Sequence, residues 1–192
     1  MLTDIELRRI RLLKSAVICC LICANLREQT ILRNAILPFI CIHILSIHIL
    51  HKEIAKQERY DRAYLRMATE WATLSHCTRK QVGALLVKDN MIISDGYNGT
   101  PSGFSNACED DNGETHWYVL HAEANAIMKV ARSANNAKDS TLYITLSPCK
   151  DCCKLILQAG IRRLVYVDEY KDPTGLEFLK SAAVDIVQIN EL

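Results

Sequence analysis

The sequence contains no internal repeat and no low-complexity tract, so solenoid, fibrous and linker-type architectures are excluded. Positive charge is not in excess: the formal net charge is +1, and even that is unevenly spread. Residues 1–51 hold six basic residues (Arg8, Arg9, Arg11, Lys14, Arg27, Arg33) against three acids (Asp4, Glu6, Glu28), leaving 17 basic and 19 acidic residues beyond them. A slightly acidic body lacks the basic footprint of a nucleic-acid binder and points to a small-molecule substrate. A membrane-spanning run is missing too. A spanning helix needs about 20 apolar residues, whereas residues 15–24 and 36–50 offer ten and fifteen, separated by Arg27, Glu28 and Arg33. No small-residue cleavage site of the secretory kind marks the segment, and export would suit a thiol-dependent site badly.

What stands in residues 1–51 is a basic amphipathic stretch, Ile5 to Lys14, followed by the two short apolar runs. Three readings are open: a membrane-anchoring helix, a regulatory or oligomerising extension, and a stretch upstream of the true start. The last accounts best for the abrupt change of character at residue 52. The chain is therefore expected to consist of an N-terminal extension, 1–51, and one ordinary domain, 52–192, large enough for a real core. Nine cysteines would suggest disulfides in a small secreted protein, but four lie in the apolar extension and five in the body. They are read as reduced thiols of a cytoplasmic protein.

Beyond residue 52 the pattern is regular. Tyr60, Ala63, Tyr64, Met67, Ala68, Trp71, Ala72 and Leu74 recur at helical spacing, which predicts a helix over Lys52–Ser75 with its aromatic stripe in the core. Gln81–Lys88 and Met91–Tyr97 predict a hairpin turning at Asp89-Asn90. A polar loop follows from Asn98 to Tyr118, long enough to be functional. Helices over 121–133, 149–159 and 175–182 then alternate with strands over 141–145, 163–167 and 184–189. An antiparallel hairpin followed by this alternation implies an α/β fold, a three-layer α/β/α sandwich around a mixed five-stranded sheet.

Two segments carry the chemistry. His121-Ala-Glu123 opens one predicted helix, and Pro148-Cys149-Lys-Asp-Cys152 opens another. An imidazole and two thiolates make three protein ligands, the count of a catalytic zinc that keeps a fourth position open. Glu123, two residues after a ligand, is placed to carry protons. Helix N-termini favour thiolate over thiol. Cys153 is excluded from the ligand set as a small packing residue. Asn125 is as well explained by a helix-to-loop hydrogen bond as by substrate contact.

The spacing His-x-Glu…Pro-Cys-x-x-Cys matches the pattern of zinc nucleobase deaminases. Together with Gln81-Val-Gly-Ala84, Gly96-Tyr-Asn-Gly99, Thr100-Pro-Ser-Gly103 and His121-Ala-Glu-Ala-Asn-Ala-Ile127, it makes residues 59–189 resemble the cytidine and deoxycytidylate deaminase superfamily, in its dCMP branch. The resemblance implies a cytidine deaminase-like fold and hydrolysis of dCMP to dUMP and ammonia, in pyrimidine deoxynucleotide metabolism. It implies one catalytic zinc on His121, Cys149 and Cys152, with Glu123 as the proton carrier. It places Asn98 on the substrate's sugar or base, and leaves Arg79, Lys80, Tyr170 and Lys171 as candidate phosphate donors. It also implies a homo-oligomer, dCTP and dTTP as effectors through the Gly-Tyr-Asn-Gly region, and no nucleic-acid partner. A second, structural zinc could sit on Cys77, Cys108 and His116, with buried free cysteines as the simpler alternative. The competing functions are a tRNA adenosine deaminase or another nucleobase deaminase of the superfamily, and an inactive zinc-containing nucleotide-binding module.

Overall fold

The computed structural model describes residues 30–192, with side chains from His43 onward. The stretches Ile5–Lys14 and Ser15–Ala24 lie outside the described residues. The chain divides into two units between Gln57 and Glu58. In the described part of the first, the helix exposes Ile44, Leu45, Ile49, Leu50 and Ile54. No described helix is long and apolar enough to cross a membrane.

The first described helix, α1, runs Thr30–Ala72. It ends within three residues of the expected position but begins far earlier than Lys52 and runs through Pro38. After it come β1 (Gly83–Lys88) and β2 (Met91–Tyr97), α2 (Ala122–Ala131), β3 (Thr141–Leu146), α3 (Lys150–Gln158), β4 (Arg163–Asp168), α4 (Thr174–Ser181) and β5 (Asp185–Gln188). The strands form one mixed sheet in the order β2-β1-β3-β4-β5. β1 pairs antiparallel with β2 and β3, while β4 runs parallel to both β3 and β5. The hairpin turns where expected: Asp89 (φ 50°) and Asn90 (φ 61°) take the left-handed conformation that short polar side chains tolerate.

Strand alternation sends one set of residues to each face of the sheet. Ala84, Leu86, Leu142, Ile144, Leu164 and Tyr166 pack against α2, α3 and α4. Leu85, Val87, Tyr143 and Val165 pack against α1 through Tyr64, Leu65 and Ala68. The result is the expected three layers. The aromatic stripe of α1 is core, as read, with two corrections: Met67 and Leu74 are exposed, and Leu65 is fully buried. Leu65 lies beside Tyr64 and Ala68 on a stripe wider than the strict spacing suggests.

The α1 layer sits unusually close to the sheet. A Cβ added at Gly83 would come 2.0 Å from the Ala68 carbonyl oxygen, so only glycine allows this crossing. A buried polar cluster fixes the same face. Asp61 is 2% exposed. It accepts a hydrogen bond from the Tyr143 hydroxyl at 2.8 Å and a two-pronged pair from Arg163 at 2.7 and 2.8 Å. Arg163 reaches Asp185 as well, at 2.9 Å. One carboxylate thus ties α1 to β3 and β4, and through Arg163 to β5.

Removing one partner of such a cluster strands the other in low dielectric. Asp61→Ala should therefore lower unfolding stability by about 3 kcal/mol or more, whereas Tyr143→Phe should cost about 1 kcal/mol. Urea unfolding of both variants checks the order; equal losses would mean that Asp61 does not carry the ion pair.

Candidate functional site

Two helix starts face one another at one edge of the sheet. His121 caps α2 with extended backbone (φ −74°, ψ 154°), and Cys149 caps α3 in the same way (φ −70°, ψ 165°). Each carbonyl accepts the first helical hydrogen bond, from Asn125 N–H and Cys153 N–H respectively. Pro148 lies just before the cap rather than inside the first turn, and is fully buried.

The Gly-Tyr-Asn-Gly block explains how α2 comes to lie there. A Cβ at Gly96 would approach the Ala122 carbonyl oxygen to 2.2 Å, so the absence of a side chain lets the first turn of α2 rest on β2. The Ser94 hydroxyl donates to Ala126 O at 2.8 Å, and the Asn125 side-chain amide donates to Tyr97 O at 3.1 Å. Asn125 thus serves as a helix-to-strand tie. Gly99 and Leu120 exchange backbone hydrogen bonds of 3.1 and 2.8 Å, fixing the residue immediately before His121.

His121 Nδ1 lies 3.6 Å from Cys149 Sγ and 3.5 Å from Cys152 Sγ. With zinc bonds of about 2.3 Å to sulfur and about 2.05 Å to nitrogen, tetrahedral angles put those atoms about 3.6 Å apart. The three groups therefore fit zinc. Among the described residues they are the group of His, Cys, Asp and Glu side chains gathered closely enough to hold a metal ion. His121 is exposed, Cys149 half-buried and Cys152 buried, so the cluster opens on one side. Cys153 is buried among core residues and its thiol faces the Pro148 carbonyl, apart from the ligands.

Electrostatics agree with the donor set. Hydrogen bonds from Cys152 and from His121 lower the Cys149 thiol to about 4. The hydrogen bond to Cys149, then burial and the nearby Glu123 and Cys149 charges, push the Cys152 thiol strongly upward. Two adjacent thiolates are thus unstable on their own, and a divalent cation supplies the charge that lets both ionise. Glu123 is 3% exposed. Burial raises its carboxyl above the ordinary value, while its own backbone N–H and the His121 charge partly oppose that shift. A carboxyl raised in this way holds a proton more readily than an exposed one.

A cavity of about 400 Å³ leads to this cluster, and His121, Glu123 and Cys149 line it. Arg79, Asn98 and Tyr170 line it as well. Lys171 does not: it is exposed in the segment after β4, beyond the cavity wall. Lys80 is on the wall. Asn98 is also engaged with the chain, since its side chain accepts from Val82 N–H at 2.8 Å and donates to Lys80 O at 2.8 Å.

Two expectations about cysteine are corrected. Cys77 and Cys108 are joined as a disulfide, with Cα atoms 5.1 Å apart, within the range that bond requires. Neither reduced thiols nor a second zinc describes that pair. His116 is not gathered with them: its ring stacks on Tyr118 with centroids 4.9 Å apart. The reduced reading does hold for Cys149, Cys152 and Cys153, which are free thiols. Glu109 was missed by sequence reasoning: it lines the cavity and accepts hydrogen bonds from Thr78 and Arg79 N–H. One acid of the run Glu109, Asp110, Asp111 and Glu114 in a polar loop gives no sequence signal for that role.

The chain is similar to known proteins. The family profile for the cytidine and deoxycytidylate deaminase zinc-binding region matches residues 58–168. Deoxycytidylate deaminase of Enterobacteria phage T4 is 32% identical over 158 residues, which cover 60% of this chain and 82% of that protein. Deoxycytidylate deaminase of Saccharomyces cerevisiae is 33% identical over 141 residues, covering 68% of this chain and 45% of that protein. The crystal structure of dCMP deaminase from the cyanophage S-TIM5 in complex with dCMP and dUMP superposes with a TM-score of 0.65 at 42% identity. It covers 67% of this chain and 95% of that one.

If the ligand set is right, Cys152→Ser should lose zinc, and Cys153→Ser should keep about one per chain. Zinc content by atomic emission on purified protein decides this; metal that follows Cys153 instead would refute the assignment.

Proposed function

The chain belongs to the cytidine and deoxycytidylate deaminase zinc-binding family, and on that premise we propose that it hydrolyses dCMP to dUMP and ammonia. The observation that carries this reading is one cavity lined both by His121, Glu123 and Cys149 and by the cations Arg79 and Lys80. The likeness to the cyanophage enzyme solved with dCMP and dUMP supports the choice of nucleotide.

In this proposal His121 Nδ1 and the thiolates of Cys149 and Cys152 hold the metal. Zinc held there would supply Lewis-acid activation of a water, drawing its pKa from about 15.7 toward about 7, and the activated water would add at C4 of the cytosine ring. Glu123 takes up the proton released from the water, delivers it to ring N3, and passes a proton to the departing amine, so that one water is consumed and one ammonia released. Positioned proton transfer of this kind contributes ~10²–10⁴-fold. Burial favours the protonated carboxyl between these steps and keeps bulk water from competing for the proton. Asn98 and Tyr170 face the substrate from the cavity wall, with Arg79 and Lys80 as phosphate partners.

Both cations are held in exposed ion pairs, Arg79 to Glu114 and Lys80 to Asp168, each at 3.1 Å. Such pairs are worth roughly 0–1 kcal/mol, so a phosphate dianion can replace either carboxylate at small cost. On family likeness we also propose a homo-oligomer that responds to dCTP and dTTP. The loop that would meet a neighbour exposes Trp117 at 93% and Phe104 at 60%. We also propose the cytoplasm as its compartment: reducing conditions suit the thiolate ligands, while the Cys77–Cys108 disulfide is the feature that runs against them.

Two measurements test the reading. Glu123→Ala should retain about one zinc and lose turnover by roughly 10²-fold or more; loss of zinc would make Glu123 a ligand and end the mechanism. Purified protein assayed in parallel with dCMP, deoxycytidine, CMP and a tRNA anticodon stem should prefer dCMP in kcat/KM, since a site built for phosphate leaves donors unpaired without it. Equal kcat/KM for nucleoside and nucleotide would return the chain to the broader family, and turnover of the RNA would favour an adenosine deaminase.

A further inference from the structure

The segment between α1 and β1, residues 73–82, has no regular secondary structure, yet it supplies both cavity cations. Such a segment would ordinarily be the mobile part of a site. Its backbone is instead pinned at successive residues. The Ser75 hydroxyl donates to Asn98 O at 2.7 Å and accepts from Cys77 N–H at 3.2 Å. The Gln81 side chain donates to Ser75 O at 2.7 Å. Asn98 holds Val82 N–H and Lys80 O, each at 2.8 Å.

The gap in that chain of ties falls at Thr78 and Arg79, and one side chain fills it. Glu109 Oε1 accepts from Thr78 N–H at 3.1 Å and from Arg79 N–H at 3.2 Å, and its Oε2 lies 3.2 Å from the Thr78 nitrogen. Its neighbour Cys108 is bonded to Cys77, so the loop that carries Glu109 is fastened to the segment it holds. Glu109 also lines the cavity.

A carboxylate beside an anion subsite is an electrostatic cost, because it repels the phosphate that Arg79 and Lys80 would receive. Its benefit must come from geometry. We propose that Glu109 is a positioning residue for substrate phosphate: by holding the Thr78 and Arg79 amides it presets the backbone from which Arg79 and Lys80 reach the nucleotide. This deepens the dCMP reading and rests on it. The ordering of the 78–79 backbone is completed before substrate arrives, so less is lost on binding. A single ordered carboxylate does this for two consecutive amides.

The charge and the reach of Glu109 can be separated. Glu109→Gln keeps an acceptor oxygen at the same distance from the backbone and removes the charge. Glu109→Asp keeps the charge and withdraws it by one methylene. The proposal expects Glu109→Asp to raise KM for dCMP by about five- to tenfold, with kcat moving much less, and to lower the preference for dCMP over deoxycytidine by a similar factor. Glu109→Gln should show a KM at or below that of the wild type. Zinc content and thermal midpoint, measured on both variants, identify a general folding defect, which would depress nucleoside and nucleotide turnover together.

A higher KM in Glu109→Gln than in Glu109→Asp, or equal KM values in the two variants, would overturn the proposal. Loss of both substrates in equal proportion in Glu109→Asp would overturn it too, since preference for the phosphate would then not depend on Glu109. Wild-type protein that shows no preference for dCMP would instead fail the functional reading, and the positioning role with it. The two failures are thus distinguishable in one set of assays.

Discussion

Two thiols and an imidazole are brought within bonding reach of a common cation at the starts of two helices, and the electrostatic conflict among them shapes the surrounding fold. Cys149 ionises readily, and the hydrogen bond between the two thiols, together with burial, holds the proton on Cys152. Only a cation at their centre lets all three act as ligands. The close approach of α2 to β2 at Gly96, the Gly99–Leu120 backbone pair and the extended cap conformations at His121 and Cys149 all fix where that centre lies. Glu123 is buried by the same packing, which places a carboxyl group beside the cluster and away from bulk solvent.

The sheet provides the rigid base. Its two faces are covered by different helices, and the parity of β1, β3 and β4 decides which side chains each receives. On the α1 side, Gly83 allows close approach and Asp61 ties four elements through Tyr143 and Arg163. The opposite layer carries both ligand helices. Much of the cavity wall comes from the irregular segments around residues 73–82 and 98–120, which hydrogen bonds and one disulfide hold in place.

Much of this was legible in the sequence because it is local. Short apolar strand runs, the Asp89-Asn90 turn and the two ligand helices each declare themselves within a few residues. The ligand trio was legible because His-x-Glu and Pro-Cys-x-x-Cys are restrictive patterns. What was missed depends on pairing across long separations. Cys77 and Cys108 lie 31 residues apart, and nothing local distinguishes a buried thiol from half a disulfide. Lys171 and Lys80 are equally plausible phosphate partners on paper, and only the path of the chain puts one on the cavity wall. Leu65 belongs to the core because the apolar face of α1 is broader than its aromatic stripe. The block Gly96-Tyr-Asn-Gly99 was noticed for its resemblance, while its physical work in seating α2 emerged only from contacts.

The most direct test of the central claim is X-ray absorption at the zinc edge of the full chain purified with its metal. A metal held by His121 Nδ1, Cys149 and Cys152 with an open fourth position predicts two sulfur scatterers at about 2.3 Å and two nitrogen or oxygen scatterers at about 2.0–2.1 Å. A shell of four sulfurs, or one of nitrogen and oxygen alone, would contradict it.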